Sequence, residues 1–156
     1  MMTSPLPKFL AMSGLPRSGK STLCREVYLP MGYTIVNPDA FRLTLFGQRY
    51  YGRGEPLLWA MITNVVDTLL LSGNKVILDA TNLLTERREP WVDRGVQFVV
   101  VTTPEDECIR RAKAANDAYL IPVIERMACT AQALQEWEPV AAVHQWSHVK
   151  VQLPGV

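Results

Sequence analysis

The sequence has few of the residues that build covalent or metal-centred frameworks. Among its 156 residues there are three cysteines and two histidines. Cys24, Cys108 and Cys129 are odd in number and far apart, so they do not suggest a disulfide framework or a metal cluster. His144 and His148 have a spacing that could pair them on a helix, but no third metal ligand stands in an obvious place. We therefore expect neither a disulfide-stabilised domain nor a zinc site.

Long hydrophobic runs are also missing, and the charge is nearly balanced. No apolar stretch approaches the ~20 residues of a membrane-spanning helix, and the N-terminal segment lacks the charged start and long apolar stretch of a secretory signal. A cytoplasmic location is therefore expected. Because the formal net charge is only +1, any contact with nucleic acid has to come from a local basic patch.

Apolar runs of strand type alternate with helical runs along the chain. Strands are predicted at 8–12, 33–36, 75–78, 96–101 and 148–153. Helices are predicted at 21–28, 39–46, 57–71, 85–94, 104–116 and 122–138. This alternation predicts an α/β three-layer sandwich with a parallel sheet of about five strands. The length and the hydrophobic content of 48% fit one domain over 1–156, with 1–7 frayed.

The most specific motif is the run G-L-P-R-S-G-K-S at 14–21, between the first predicted strand and the first predicted helix. This is the context of a phosphate-binding loop, also called a Walker A motif, which begins here at Gly14. Lys20 would place its charge near the β- and γ-phosphates, and the Ser21 hydroxyl can ligate Mg²⁺. Because Pro16 has no N–H to donate, the backbone contacts are expected from Ser18, Gly19, Lys20, Ser21 and Thr22. The sequence therefore predicts a nucleoside triphosphate site.

A second group of polar residues, N-P-D-A-F-R at 37–42, directly follows the second predicted strand. In a parallel sheet this places Asp39 at the edge that also carries the phosphate-binding loop. A carboxylate there can accept the proton of an attacking hydroxyl, and Arg42 would face the same side of a helix. The competing interpretation is that Asp39 is a helix N-cap with Arg42 as its ordinary partner.

A third group, D-A-T-N at 79–82, ends the third predicted strand. An acid in this position helps to hold Mg²⁺, which assigns Asp79 to the metal site. Thr81 and Asn82 offer neutral hydrogen bonds to an acceptor. The competing interpretation is that the segment simply caps the end of a strand.

These three motifs, together with the later E-R-R run and I-P-x-x-x-R-M, resemble the kinase domain of phage polynucleotide kinases and their P-loop kinase relatives. The resemblance covers roughly residues 8–138. It implies transfer of a phosphoryl group from ATP, with Mg²⁺, to a hydroxyl, and a C-terminal helical lid over about 104–138. It also implies that Asp39 is the general base, that Arg42 contacts a phosphate of the acceptor strand, and that Lys20 acts on the donor phosphates.

The resemblance assigns the lid arginines that stabilise the transferred phosphoryl group to Arg111 and Arg126. The family often has a second lid arginine one turn after the first, where this chain has Ala115, so Arg110 and Lys113 are further candidates. The family often has Gly where this chain has Arg17. That side chain either reaches toward the nucleotide or is solvated.

The acceptor is indicated by a segment that mixes aromatic residues with arginines. Over 41–53 the aromatic residues Phe41, Phe46, Tyr50 and Tyr51 are interleaved with Arg42, Arg49 and Arg53, and Arg87 and Arg88 follow the third strand. Aromatic faces for stacking and arginines for phosphates suit a nucleic-acid strand, with DNA favoured over RNA. The alternative is that Phe41 and Phe46 belong to the core and that Tyr50 and Tyr51 pack under a loop.

Four functions therefore compete. The first is a kinase acting on a polynucleotide 5′-hydroxyl, and the second is a DNA kinase acting on a hydroxymethyl group of a modified pyrimidine, with Trp59 or a tyrosine stacking on the flipped base. The third is a kinase for a nucleoside, sugar or antibiotic. The fourth is a nucleotide-binding switch without phosphotransfer, and its GTPase form is disfavoured because N-K-V-I at 74–77 lacks the acid of N-K-x-D. The motifs favour a kinase, and an oligomer remains possible.

Overall fold

A five-stranded parallel sheet is the centre of the computed structural model, which describes residues 5–145. The strands are β1 (Phe9–Ser13), β2 (Tyr33–Val36), β3 (Lys75–Leu78), β4 (Gln97–Val101) and β5 (Val140–His144). Their order across the sheet is β2-β3-β1-β4-β5, and all neighbours are parallel. The predicted α/β sandwich with about five strands is confirmed.

Helices connect the strands, as parallel pairing requires. They are α1 (Lys20–Leu23), α2 (Pro38–Phe46), α3 (Glu55–Leu71), α4 (Thr85–Val92), α5 (Glu105–Ala114) and α6 (Ile121–Thr130). A π-helical turn, Cys24–Tyr28, continues α1, and short 3₁₀ turns precede α3 and α6 at Gly52–Gly54 and Ala118–Leu120. Of the described helices, none is both long enough and apolar enough to cross a membrane.

The central strand β1 is buried along its whole length because helices cover both faces of the sheet. Phe9 and Ala11 pack in a core cluster with residues of α3 and α4, among them Leu58, Ile62, Val66 and Trp91. Leu10 and Met12 point the other way and pack with residues of α1 and its π-helical turn, among them Leu23, Cys24 and Tyr28. The continuous apolar run of β1 therefore serves two cores.

The C-terminal part of the described chain differs from the sequence prediction. Helix α6 ends at Thr130, so the helix predicted to continue to 138 is too long, and the last described strand is Val140–His144. The strand predicted at 148–153 lies outside the described residues. Residues 131–138 have helical composition, but the buried guanidinium of Arg88 donates hydrogen bonds to the carbonyl oxygens of Gln132 and Ala133 at 3.1 and 3.3 Å. Tertiary contacts therefore override helix propensity here.

The parallel arrangement brings four chain segments together at one edge of the sheet. The phosphate-binding loop follows β1, the segment from Asn37 follows β2, the segment from Asp79 follows β3, and Thr103 lies just beyond β4. The strand order also reverses at β1, since β3 lies on one side of it and β4 on the other. In open α/β sheets this is where ligands bind.

Candidate active site

Two glycines and contacts from β4 determine the shape of the phosphate-binding loop. Gly19 precedes α1 with a φ of 105°, which L side chains rarely adopt. A Cβ atom at Gly14 would lie 3.0 Å from both the Val101 carbonyl oxygen and the Ser18 Oγ. From beyond β4, the Thr103 hydroxyl donates a 2.7 Å hydrogen bond to the Ser18 carbonyl oxygen. The loop is thus anchored to the end of β4 and to the segment that follows it.

Lys20 begins α1 and points its ammonium group back into the loop. The Nζ atom donates to the Leu15 carbonyl oxygen at 2.6 Å and to Ser18 Oγ at 3.4 Å. The side chain is buried, and this burial lowers the pKa of Lys20, although the nearby Asp79 carboxylate opposes the shift. A desolvated cation beside backbone N–H groups is a strong site for a phosphate, since electrostatic attraction is larger where water is excluded.

Ser21, Asp79 and Asn37 meet next to Lys20 at the position predicted for the metal. The Ser21 hydroxyl donates to Asp79 Oδ2 at 2.7 Å, and Asn37 Nδ2 donates to the same oxygen at 3.2 Å. Asp79 is buried, and this burial raises the pKa of its carboxyl group. A hydroxyl and a buried carboxylate side by side fit Mg²⁺, which prefers oxygen ligands and is usually shared with substrate phosphates.

Asp39 and Arg42 lie together at the start of α2, as the sequence predicted from their spacing. Arg42 Nη1 donates to Asp39 Oδ1 at 2.6 Å, and the Asp39 side chain is 66% exposed. The helix N-cap is Asn37, whose Oδ1 accepts from the backbone N–H groups of Asp39 and Ala40. Asp39 is therefore not required as a cap, and its carboxylate faces solvent at the sheet edge.

Arg111 of α5 reaches the phosphate-binding loop. Its Nη1 donates to the carbonyl oxygens of Arg17 and Ser18 at 3.3 and 3.1 Å, and its Nε donates to Glu107 Oε1 at 3.0 Å. Glu107 also accepts two hydrogen bonds from Arg110, and these arginines lower the pKa of Glu107 to about 2. Arg111 is thus held beside the loop by a charged carboxylate.

The turn between α5 and α6 is tied to the rest of the site by two arginines. Arg17 has a positive φ of 64°, which explains why glycine suits this position, and its side chain forms an ion pair with Asp117. Arg49, which follows α2, lies over the ring of Tyr119 at 5.8 Å. Arg17 is therefore paired with the turn between α5 and α6 rather than solvated, and Arg126 is exposed on α6.

Two residues predicted to bind the acceptor are buried instead. Arg88 is fully buried, forms an ion pair with Glu138 at 3.0 Å and donates to the Asn82 carbonyl oxygen, so it cannot contact an acceptor. Asn82 is also buried, and its amide donates to the Met12 carbonyl oxygen at 2.8 Å. Both assignments are corrected, because these side chains satisfy buried backbone groups.

Thr81, Tyr50 and Tyr51, which were also predicted to bind the acceptor, remain accessible. The Thr81 side chain is partly exposed, while its backbone carbonyl oxygen accepts from Gly14 N at 2.9 Å. Tyr50 is 71% exposed, and Tyr51 packs its ring against Phe46 with 5.3 Å between centroids. Tyr50 is therefore the freer of the two for stacking.

The sequence interpretation missed several residues of this site. Asn37 had a recognisable signal, since Asn before Pro is a common helix start. Glu55, Glu107 and Asp117 each pair with a predicted arginine, but only the i,i+4 spacing of Glu107 and Arg111 was visible in the sequence. The other two pairings join separate elements and depend on the tertiary fold.

Known proteins support the fold and its chemical class. The model of the AAA domain family matches residues 9–137. No curated protein matches the sequence. A sugar kinase from Janibacter sp. HTCC2649 is similar in structure, with a TM-score of 0.70 and 17% identity over 93% of this chain and 88% of that chain. The APS kinase CysC of Mycobacterium tuberculosis, solved with AMPPNP and APS, has a TM-score of 0.61 and 18% identity over 96% and 98%.

A third similar structure has higher sequence identity over a shorter region. A chain of the Pnkp1/Rnl/Hen1 complex is 32% identical with a TM-score of 0.60, and the match covers 70% of this chain and 40% of that one. Another structure of this assembly is described as an RNA repair complex. The fold is that of P-loop kinases, whose phosphoryl donor is ATP.

Proposed function

We propose that this chain, which belongs to the AAA domain family, is an ATP-dependent kinase that phosphorylates a hydroxyl of a nucleic acid, in the first place a polynucleotide 5′-hydroxyl. The observation that carries the proposal is the exposed Asp39 carboxylate, hydrogen-bonded to Arg42 at the edge that also holds the phosphate-binding loop. The 32% identity to a chain of the Pnkp1/Rnl/Hen1 complex supports a nucleic-acid acceptor.

The proposed chemistry assigns one task to each group. Asp39 accepts the proton of the acceptor hydroxyl. The hydroxyl oxygen then bonds to the γ-phosphorus, while the bond between that phosphorus and the β,γ-bridging oxygen breaks and ADP leaves. Lys20 and Arg111 stabilise the charge on the phosphoryl oxygens. Ser21 and Asp79 would hold Mg²⁺, which neutralises phosphate charge when bound. Catalysis then depends mainly on positioning and electrostatics.

The acceptor strand is assigned to the surface between α2 and α3. Tyr50 supplies an exposed aromatic face there, Arg49 and Arg53 are exposed in the segment that joins the two helices, and Arg87 is exposed on α4. Stacking on an aromatic ring combined with arginine contacts to phosphates binds a single strand without reading its sequence.

The direct test is incubation with γ-labelled ATP and a matched panel of acceptors. The panel contains 5′-hydroxyl DNA and RNA oligonucleotides, DNA with hydroxymethyl-pyrimidine bases, free nucleosides and gluconate. Label at the 5′ end supports the proposal and tells DNA from RNA. Label on an internal base supports the modified-base kinase, label only on a small molecule contradicts a nucleic-acid acceptor, and ATP binding without any transfer indicates a switch.

The first prediction concerns Asp39. Replacing Asp39 with Ala should lower kcat by roughly 10²–10⁴-fold, because general-base catalysis contributes about that much. ATP affinity should stay within about twofold of wild type, because Asp39 contacts Arg42 and not the phosphate-binding loop. Lys20→Ala is the contrasting variant, and it should weaken both ATP binding and transfer. Full turnover by Asp39→Ala, measured with labelled ATP and equilibrium ATP binding, would eliminate Asp39 as the base.

A further inference from the structure

Arg42 is held more firmly by Glu55 than by Asp39. Its Nε donates to Glu55 Oε1 at 2.7 Å and its Nη2 donates to Glu55 Oε2 at 2.9 Å, so the two side chains form a bidentate pair. The Glu55 and Arg42 side chains are 20% and 14% exposed, whereas Asp39 is 66% exposed. The bidentate pair is therefore the better-shielded contact, and charge-assisted pairs of this geometry are among the stronger hydrogen bonds.

Trp59, which lies on α3 with Glu55, contacts both Glu55 and Arg42. Its Nε1 donates to Glu55 Oε2 at 3.1 Å, and its ring lies 5.8 Å from Arg42 Cζ. Glu55 is the first residue of α3 and Trp59 follows one turn later, so both project toward α2. Hydrogen bonds from Arg42, helped by the one from Trp59, lower the pKa of Glu55. The arrangement runs from Trp59 and Glu55 on α3 to Arg42 and Asp39 on α2.

We propose that Glu55 is a positioning residue for phosphoryl transfer, which fixes Arg42 so that Arg42 can hold the Asp39 carboxylate toward the phosphate-binding loop. The inference rests on the proposed function, because it acts through Asp39. An exposed ion pair three residues apart is weak on its own. The bidentate contact with Glu55 removes the rotational freedom of the long arginine side chain before that pair forms.

Arg42 contacts two carboxylates at once. Its single positive charge is shared between the carboxylates of Glu55 and Asp39. It is therefore less available to an acceptor phosphate than its sequence position suggests. The Arg42 guanidinium orients the Asp39 carboxylate, and the exposed arginines nearby bind the acceptor phosphates. The family resemblance implied that Arg42 contacts an acceptor phosphate, whereas in this proposal its main role is to orient Asp39.

The kinetic test uses Glu55→Gln, which keeps the shape but removes the charge and one hydrogen-bond acceptor for Arg42. We expect kcat to fall by about 10- to 100-fold, because small misplacement of a reacting group can cost about 10²-fold. The KM for ATP should change less than twofold. Glu55→Asp, which keeps the charge, should recover part of the loss. An unchanged kcat for Glu55→Gln would overturn the proposal.

The chain offers a closely matched control on the same helix. Asp67 of α3 forms a bidentate pair with Arg94 at 2.6 and 3.1 Å, and Arg94 lies 5.5 Å from the ring of Trp91. This group repeats the carboxylate, arginine and tryptophan arrangement away from the site. Asp67→Asn should therefore leave kcat within twofold of wild type. An equal loss of kcat in both variants would assign the effect to general destabilisation and reject positioning.

A double variant shows whether Glu55 affects kcat through Arg42 or independently of it. In an Arg42→Ala background, Glu55→Gln should cause less than a twofold further loss of kcat, since the residue through which it acts is gone. Losses that multiply in the double variant would show that Glu55 acts by another route, and would contradict the proposal.

An NMR measurement distinguishes failure of this inference from failure of the proposed function. The Arg42 Nε–H signal should be protected from solvent exchange in the wild-type protein and should lose that protection in Glu55→Gln, where the Asp39 carboxyl ¹³C resonance should also move. These signals need no substrate. If no acceptor is phosphorylated but the two signals change, the proposed function fails and the positioning contact stands. If Asp39 does not respond to Glu55→Gln, the positioning proposal fails whatever the substrate.

Discussion

At the scale of single residues, burial decides what each arginine does. Arg87 and Arg88 are adjacent in the sequence, yet Arg87 is exposed whereas Arg88 is fully buried against Glu138. Arg111 lies beside the phosphate-binding loop, whereas Arg88, which the sequence assigned to the acceptor, is fully buried. Residue type alone could not separate these cases, because a guanidinium that satisfies buried carbonyl groups and one that binds phosphate need the same donors.

The Arg88 and Glu138 pair gives a prediction about stability. Replacing Arg88 with Ala should lower the free energy of unfolding by about 3–5 kcal/mol, because Glu138 would remain buried without its partner. Urea denaturation followed by circular dichroism measures this change. Arg87→Ala is the adjacent control, and as an exposed position it should shift stability by less than about 0.5 kcal/mol. Similar losses in the two variants would refute the buried-pair argument.

At the scale of secondary-structure elements, local sequence patterns were sufficient to predict the strands that form the core. Strands β2 and β3 have the predicted bounds, and β1 and β4 differ by one residue at their ends. The end of α6 could not be predicted, because residues 131–138 are held by contacts with Arg88, which is distant in sequence. The same reason explains why Glu55 and Asp117 were not anticipated. Short-range spacing predicts elements, while contacts between elements complete the site.

Helix α5 allows a prediction of pH dependence. The pKa of Glu107 is lowered from 4.5 to about 2 by hydrogen bonds from Arg110 and Arg111. A depressed carboxyl pKa means that the stabilisation is complete above the unfolded value and is lost as pH falls from about 4.5 toward 2. Glu107→Gln should therefore have a lower Tm than wild type at pH 7, and the difference should shrink between pH 5 and pH 3. A difference that stays constant over this range would count against these ion pairs.

At the scale of the whole molecule, the balanced charge makes the local distribution of arginines decisive. The net charge is +1, so the overall field cannot attract a polyanion strongly. The carboxyl ends of the parallel strands meet at the edge that carries the phosphate-binding loop, and the exposed Arg49, Arg53 and Arg87 lie in segments that follow β2 and β3. A nucleic-acid acceptor would therefore be bound through a small number of phosphate contacts.

The salt dependence of acceptor binding tests this view of the molecule. If Arg49, Arg53 and Arg87 each neutralise one phosphate of a single strand, log K should fall with log salt with a slope of about −2, since each contact contributes about −0.7. Affinity for a 5′-hydroxyl oligonucleotide should then fall roughly 20-fold between about 50 and 200 mM salt. Arg87→Ala should reduce the slope by about 0.7, whereas Lys8→Ala, an exposed change just before β1 at the opposite edge of the sheet, should leave it unchanged. Fluorescence anisotropy measures both slopes. A slope near zero in the wild-type protein would mean that phosphates are not contacted, and it would favour a small uncharged acceptor over a nucleic acid.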